Sequence, residues 1–264
     1  MVSTGGLAGL CVAGLIAIGA PFLAYFLFRA RLTLSLRNIL VGAVCFILFS
    51  FAIELPLNNY LLASNPVSAA WFKAHGWIYA LYGAFAAGLF EETGRLVGFG
   101  LLARKSDGAG TALAYGIGHG GAEAIIVGGL GIFQSLVLAF LYNHGKLDQV
   151  LSAKFSPDKL AAIHSKLAHL TFFNALPGGF ERLSALTLQI ALSFLVWRAV
   201  TRKEWRFYFL AILAHTAFDV PAMLLQRGII HPGVWQLEAG YAALAVVVAG
   251  ILLSRLPPKQ TEPA

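Results

Sequence analysis

The chain has 264 residues, 58% hydrophobic and only 12% charged, with a mean hydropathy of +0.75 and a formal net charge of +7. Soluble domains carry about 25% charged residues, so this inventory excludes a water-facing surface and implies that lipid is the main solvent. The positive charge collects at the ends of apolar runs, in clusters such as Arg29/Arg31 and Arg202/Lys203/Arg206, which reads as an orientation signal and argues against nucleic acid as a partner.

In chain order, the apolar runs extend approximately over Leu7–Phe28, Ile39–Leu62, Trp77–Leu102, Ala109–Tyr142, Glu181–Ala199, Phe207–Leu225 and Trp235–Leu253. A helix of about 20 residues crosses a hydrocarbon core of about 30 Å, so each run suffices for a crossing. The runs are continuous and rich in Leu, Ala and Gly, which favours helices over the alternating strands of a β-barrel. The first run has no basic region ahead of it and no small-residue cleavage site before Arg29, so it is expected to be a retained helix. Cys11 and Cys45 both fall inside apolar runs, which gives no support to a disulfide framework or a cysteine metal site.

The fourth run is too long for one crossing, and its glycines at 116, 118, 120, 121, 128, 129 and 131 predict a bent helix or a crossing followed by a half-length segment. After it, Asn143 to Pro177 is polar, with Leu160, Ile163, Leu167 and Leu170 at helical spacing between lysines and histidines. That pattern predicts an amphipathic helix at the membrane surface. The expected fold class is an all-α polytopic membrane helix bundle with seven crossings, or eight helices if the fourth run divides. Residues 1–256 form one transmembrane domain, and 257–264 are expected to be a disordered tail.

Lysine and arginine accumulate in cytoplasmic loops. With the N-terminus outside and seven crossings, Arg29, Arg31, Arg37, Arg104, Lys105, Arg198, Arg202, Lys203, Arg206, Arg255 and Lys259 fall inside, against Lys73, Lys146, Lys154, Lys159, Lys166 and Arg227 outside. The expectation is an integral protein of the plasma membrane, N-terminus out and C-terminus in.

Within the runs, Glu91, Glu92, Arg95, His119, Glu123, His215 and Asp219 stand out. Unpaired at mid-bilayer, such a set would cost on the order of 15 kcal/mol or more, so these groups must meet one another or line a wet cavity. Glu91/Arg95, His119/Glu123 and His215/Asp219 are each four apart, so three helices offer a polar stripe. Gly88, Gly94, Gly98, Gly116 and Gly120 allow close helix approach. Each stripe alone reads equally as a structural ion pair or an oriented imidazole; the three together argue for a functional cavity.

Two adjacent glutamates beside an arginine allow one carboxylate to be held ionised while the other, desolvated beside a like charge, serves as a general base for water. The histidines then polarise a scissile carbonyl or stabilise its oxyanion. Alternatively, Glu91, His119 and His215 are the ligand types of a zinc site. No HExxH motif is present.

Glu91-Glu92-x-x-Arg95, Tyr115-x-x-x-His119 and His215-x-x-x-Asp219, in this order on successive helices, resemble the CAAX prenyl endopeptidase and bacteriocin-processing superfamily of intramembrane proteases. The segment Gly118-His119-Gly120-Gly121-Ala122-Glu123-Ala124 and the later Glu181-Arg182 resemble its YhfC-type branch. The resemblance spans about half the chain. It implies peptide-bond hydrolysis in the membrane, with Glu91, Glu92, Arg95, His119, His215 and Asp219 as catalytic candidates and Glu123 and Glu181 as second-rank ones. Glu91 is expected to activate the water, His119 to orient it, and His215 with Asp219 to stabilise the oxyanion, while Glu92 and Arg95 tune the site. The two glutamates could exchange parts, because adjacent residues point about 100° apart on a helix.

One departure is Gln189, which stands where the branch carries a histidine eight residues after the Glu-Arg pair. It favours a glutamate-activated water with no required cofactor, zinc being the alternative. Expected partners are membrane lipids and a peptide or membrane-protein substrate; the oligomeric state is open. A transporter or channel, or a non-catalytic scaffold of the same fold, are the competing classes, although no internal symmetry of the transporter kind is visible.

Overall fold

In the computed structural model, which describes residues 1–102 and 108–255, the apolar runs are long helices. They are α1 (Thr4–Phe28), α2 (Leu36–Ser64), the short α3 (Pro66–Ala74), α4 (Gly76–Leu102), α5 (Ala109–Asn143), the short α6 (Leu147–Leu151), α7 (Pro157–Ala168), α8 (Pro177–Arg202), α9 (Arg206–Gln226) and α10 (Val234–Arg255). No strand occurs among the described residues. Six of the long helices are apolar enough to cross a bilayer by composition alone, α8 together with the helical turn Phe172–Ala175 ahead of it. The 27-residue α4 is long enough as well, and its three charged residues, Glu91, Glu92 and Arg95, are all buried in protein. Large apolar side chains such as Leu15 (72% exposed) and Val246 (71%) face outward, the inside-out distribution that a lipid solvent permits. Arg104, Lys105, Lys259 and the expected tail 257–264 lie outside the described residues.

Local signals explain several helix ends. Asn65 accepts from the Val67 and Ser68 backbone nitrogens at 3.0 and 3.2 Å and caps α3, with Pro66 in the first position, where a missing N–H costs nothing. Gly145 and Gly228 follow α5 and α9 with φ of 65° and 64°, a left-handed turn that favours glycine.

The fourth run does not divide. Its α-helical ladder continues into a π-helical stretch at Ala124–Gly129 and resumes at Leu130, so the helix widens where the sequence left a break open. Similar stretches occur in α2 at Ile47–Glu54 and Tyr60–Ser64.

The chain forms two compact units, Met1–Ala20 with Ala124–Leu183, and Pro21–Glu123 with Ser184–Ala264. In the first, the expected amphipathic helix exists as α7, and its Leu160, Ile163 and Leu167, with Leu170 beyond, pack against Val2, Ala139, Leu147 and Leu151. Its apolar face is therefore taken up by protein. In the second unit, Cys45, Phe99, Tyr115, Leu188, Leu192, Val196, Trp197, Ala211 and Phe218 share one core drawn from α2, α4, α5, α8 and α9.

Glycines let those helices touch backbone to backbone. A Cβ on Gly118 would overlap the Ile39 carbonyl, and one on Gly42 would overlap the Tyr115 carbonyl and lie 2.9 Å from the His119 nitrogen. A Cβ on Gly116 would come within 2.8 Å of Ile190 Cα, and one on Gly88 within 3.0 Å of the Ile212 carbonyl. These small-residue seams bring α2 and α8 against α5, and α9 against α4, at the level of the polar residues.

Candidate active site

The polar stripes of α4, α5 and α9 meet inside the second unit, and α8 adds a fourth contributor. Glu91, Glu92, Arg95, His119, Gln189 and His215 are all buried. The two glutamates divide their partners. Glu92 Oε1 accepts from Arg95 Nη1 and lies 2.8 Å from His215 Nδ1. Glu91 Oε2 lies 2.9 Å from His119 Nε2, 3.9 Å from His215 Nε2, and accepts from Gln189 Nε2 at 3.1 Å. Arg95 therefore pairs three residues back, with Glu92, and not four back with Glu91 as the spacing alone suggested. Both separations lie on one helical face, and the packing chooses between them.

His215 spans the cluster. Its Nδ1 faces Glu92, while its Nε2 faces both Glu91 and, at 3.5 Å, Asp219 Oδ2. The Asp219 side chain is 29% exposed and that of Glu91 9%, whereas Glu92 and Arg95 are sealed. The Glu91–Asp219 side is thus the more open edge.

His119 is set by its neighbours. The Phe46 ring meets it edge-on at 5.2 Å, the Tyr115 ring stacks at 6.0 Å, and the Tyr115 hydroxyl donates to the Gly94 carbonyl at 3.3 Å. With Glu91 ionised, its Oε2 can only accept, so the His119 proton sits on Nε2; the buried Nδ1 has no hydrogen-bond partner among the described residues.

Two site residues escaped the expected set. Gln189, noticed in the sequence only as a departure, is the hub: its Oε1 accepts from Arg95 Nη2, and its Nε2 donates to Glu91 and, at 2.5 Å, to Glu123 Oε2. Glu123 thereby joins the cluster through Gln189 instead of hydrogen-bonding His119. Glu54, at the end of the π-helical stretch of α2, is buried, accepts from Asn58 at 3.1 Å, and lies within electrostatic reach of Glu91, His215 and Asp219. Tyr82 in turn donates to Asn58 at 2.8 Å. Its signal was present in the sequence, a glutamate inside an apolar run with an amide one turn on. Glu181 belongs to the first unit and pairs with Arg182 Nη2 at 2.5 Å.

The chemistry of this donor set suits zinc, since two imidazole Nε2 atoms converge on one carboxylate oxygen, Glu91 Oε2. Among the described residues, however, no group of three or more His, Cys, Asp or Glu side chains is spaced to hold an ion.

Comparison with known proteins bears on this arrangement. Residues 14–238 match the profile of the YhfC intramembrane metalloprotease family. The chain belongs to that family. It is 34% identical over 249 residues to an uncharacterized membrane protein YhfC of Bacillus subtilis (strain 168), covering 94% of this chain and 93% of the relative. No solved structure matches. All six of these buried polar residues lie within the matched span, and family membership supports a membrane-embedded peptidase.

Proposed function

We propose that this protein is an intramembrane endopeptidase that hydrolyses a peptide bond of a membrane-embedded or lipid-modified substrate, with water activated at Glu91. The observation that carries this reading is the division of the glutamate pair. Glu92 is sealed and bound by Arg95 and His215, whereas Glu91 reaches the more open edge beside both imidazoles.

In this mechanism Glu91 takes a proton from water as the hydroxide oxygen bonds to the scissile carbonyl carbon. His119, donating from Nε2 to Glu91 at 2.9 Å, holds the carboxylate in the orientation that directs that water. His215, steadied by Glu92 and Asp219, donates to the developing oxyanion, where a donor aimed at the transition state is most effective. Collapse of the tetrahedral intermediate breaks the C–N bond, and the proton held on Glu91 passes to the leaving amine. Arg95 balances the charge of Glu92 throughout.

The family's name and the convergence of His119 and His215 on Glu91 favour a second reading in which these three residues hold zinc. When bound, the metal would lower the pKa of its water and polarise the carbonyl. Orientation follows the charge count: N-terminus outside, C-terminus inside the plasma membrane.

The test is cleavage of a fluorogenic membrane peptide by the purified protein in liposomes, with and without chelator. Cleavage that persists in chelator and is lost in Glu91→Gln supports the glutamate mechanism. Loss in chelator with recovery on added zinc moves the assignment to the metal. An inert wild-type protein overturns the peptidase reading.

A further inference from the structure

Gln189 is 2% exposed and is an uncharged side chain at the centre of a charged cluster. The glycines of α5 put it there. A Cβ on Gly120 would lie 2.7 Å from the Gln189 Cβ, and one on Gly116 would crowd Ile190 and Ser193, so α8 comes close enough for the amide to reach between α4 and α5. The Ser193 hydroxyl, donating to the Gln189 carbonyl at 2.8 Å, sits one turn further along the same seam.

The amide's orientation is forced by its partners. A guanidinium only donates and an ionised carboxylate only accepts, so Oε1 must face Arg95 and both Nε2 hydrogens must face Glu91 and Glu123. An imidazole at this position, with one donor and one acceptor when neutral, would serve two of these three groups. A carboxylate would serve Arg95 alone and repel the other two. Glutamine is the side chain that satisfies all three at once.

We propose that Gln189 is a positioning residue of the reaction: its amide, anchored on Arg95, clamps the Glu91 carboxylate with Oε2 directed at His119 and His215, and ties Glu123 to the same anchor. The inference rests on the reading of Glu91 as the water-activating group. Its consequence is kinetic. Gln189 acts through Glu91, so its loss lowers turnover and leaves substrate binding in place.

The experiment compares reporter cleavage by the wild-type protein, Gln189→Met, Gln189→Glu, Glu91→Gln and the Glu91→Gln/Gln189→Met double variant in liposomes. Gln189→Met should lower kcat by about 10- to 100-fold, the usual scale for a partner that orients a reacting ligand, with KM within about twofold. Gln189→Glu keeps the acceptor for Arg95 and loses the donor, so it should fall as far; it carries the test if Gln189→Met does not fold. The double variant should be no slower than Glu91→Gln, because the clamp then has nothing to hold. Wild-type turnover in Gln189→Glu, or a Gln189→Met loss that multiplies on top of Glu91→Gln, would overturn the proposal. A wild-type protein that does not cut overturns the peptidase reading itself, and with it the role of Gln189; that result is distinct from an active enzyme indifferent to position 189.

Discussion

Two pairings of histidine with a carboxylate show opposite surroundings. His119 meets Glu91 at 2.9 Å with side chains 0% and 9% exposed; His164 on α7 meets Asp148 on α6 at 2.6 Å with side chains 36% and 62% exposed. Distance does not separate them. Water does: the exposed pair can trade its bond for solvent at little cost, whereas the buried one belongs to a network in which every partner lost strands another. Proximity between histidine and carboxylate is thus common to structure and chemistry, and burial with further partners distinguishes them.

The strongest way to break this contrast is to alter one member of each pair. Glu91→Gln and His119→Ala should each leave a folded protein whose reporter cleavage falls by about 100- to 1,000-fold, while His164→Ala cuts at the wild-type rate. Equal losses from His119→Ala and His164→Ala would make the distinction worthless.

Comparable in size is a stability effect. Arg95→Ala removes the guanidinium from a sealed pair, leaving Glu92 without its counter-charge, and breaking a buried pair on one side costs about 3–5 kcal/mol. Thermal denaturation in detergent should show it clearly. An Arg95→Ala protein as heat-resistant as wild type would remove the buried-network argument. The corresponding loss for Asp148→Ala should be no more than about 1 kcal/mol, the smallest effect expected and measurable in the same experiment.

A topological test sharpens the comparison without removing any bond. Cysteines replacing Ser152, in the region of the exposed pair, and Arg202, at the end of α8, should react with an impermeant thiol reagent from opposite sides of the intact membrane. Labelling of both from one side would refute the seven-crossing orientation.

How much of this could be read in the sequence follows the same division. The long helices were legible, because a run of about 20 apolar residues is a one-dimensional signal. The gathering of Glu91, Glu92, Arg95, His119 and His215 was legible too, since isolated charges in hydrocarbon are too costly to stand alone. Which partner each would choose was not. Arg95 had two glutamates within reach along its own helix, and the choice fell to His215 and Gln189, residues that arrive from helices about a hundred positions away. Gln189 itself carries no charge, so an inventory of ionisable groups passes over it. Nor could the leucines of α7 announce that they pack on Val2, Ala139, Leu147 and Leu151, since lipid suits an apolar stripe as well.

The seam between α2 and α5 has a consequence for how this protein can drift. Gly118 against the Ile39 carbonyl and Gly42 against the Tyr115 carbonyl leave room for no additional atom. Alanine in place of either would scarcely register in hydropathy or helix length, so the variant would look harmless by every measure that betrays the fold from sequence. A single methyl would nonetheless act as a wedge, prising α2 from α5 one residue from His119. At this seam the chain's freedom to vary is accordingly small where its side chains are smallest.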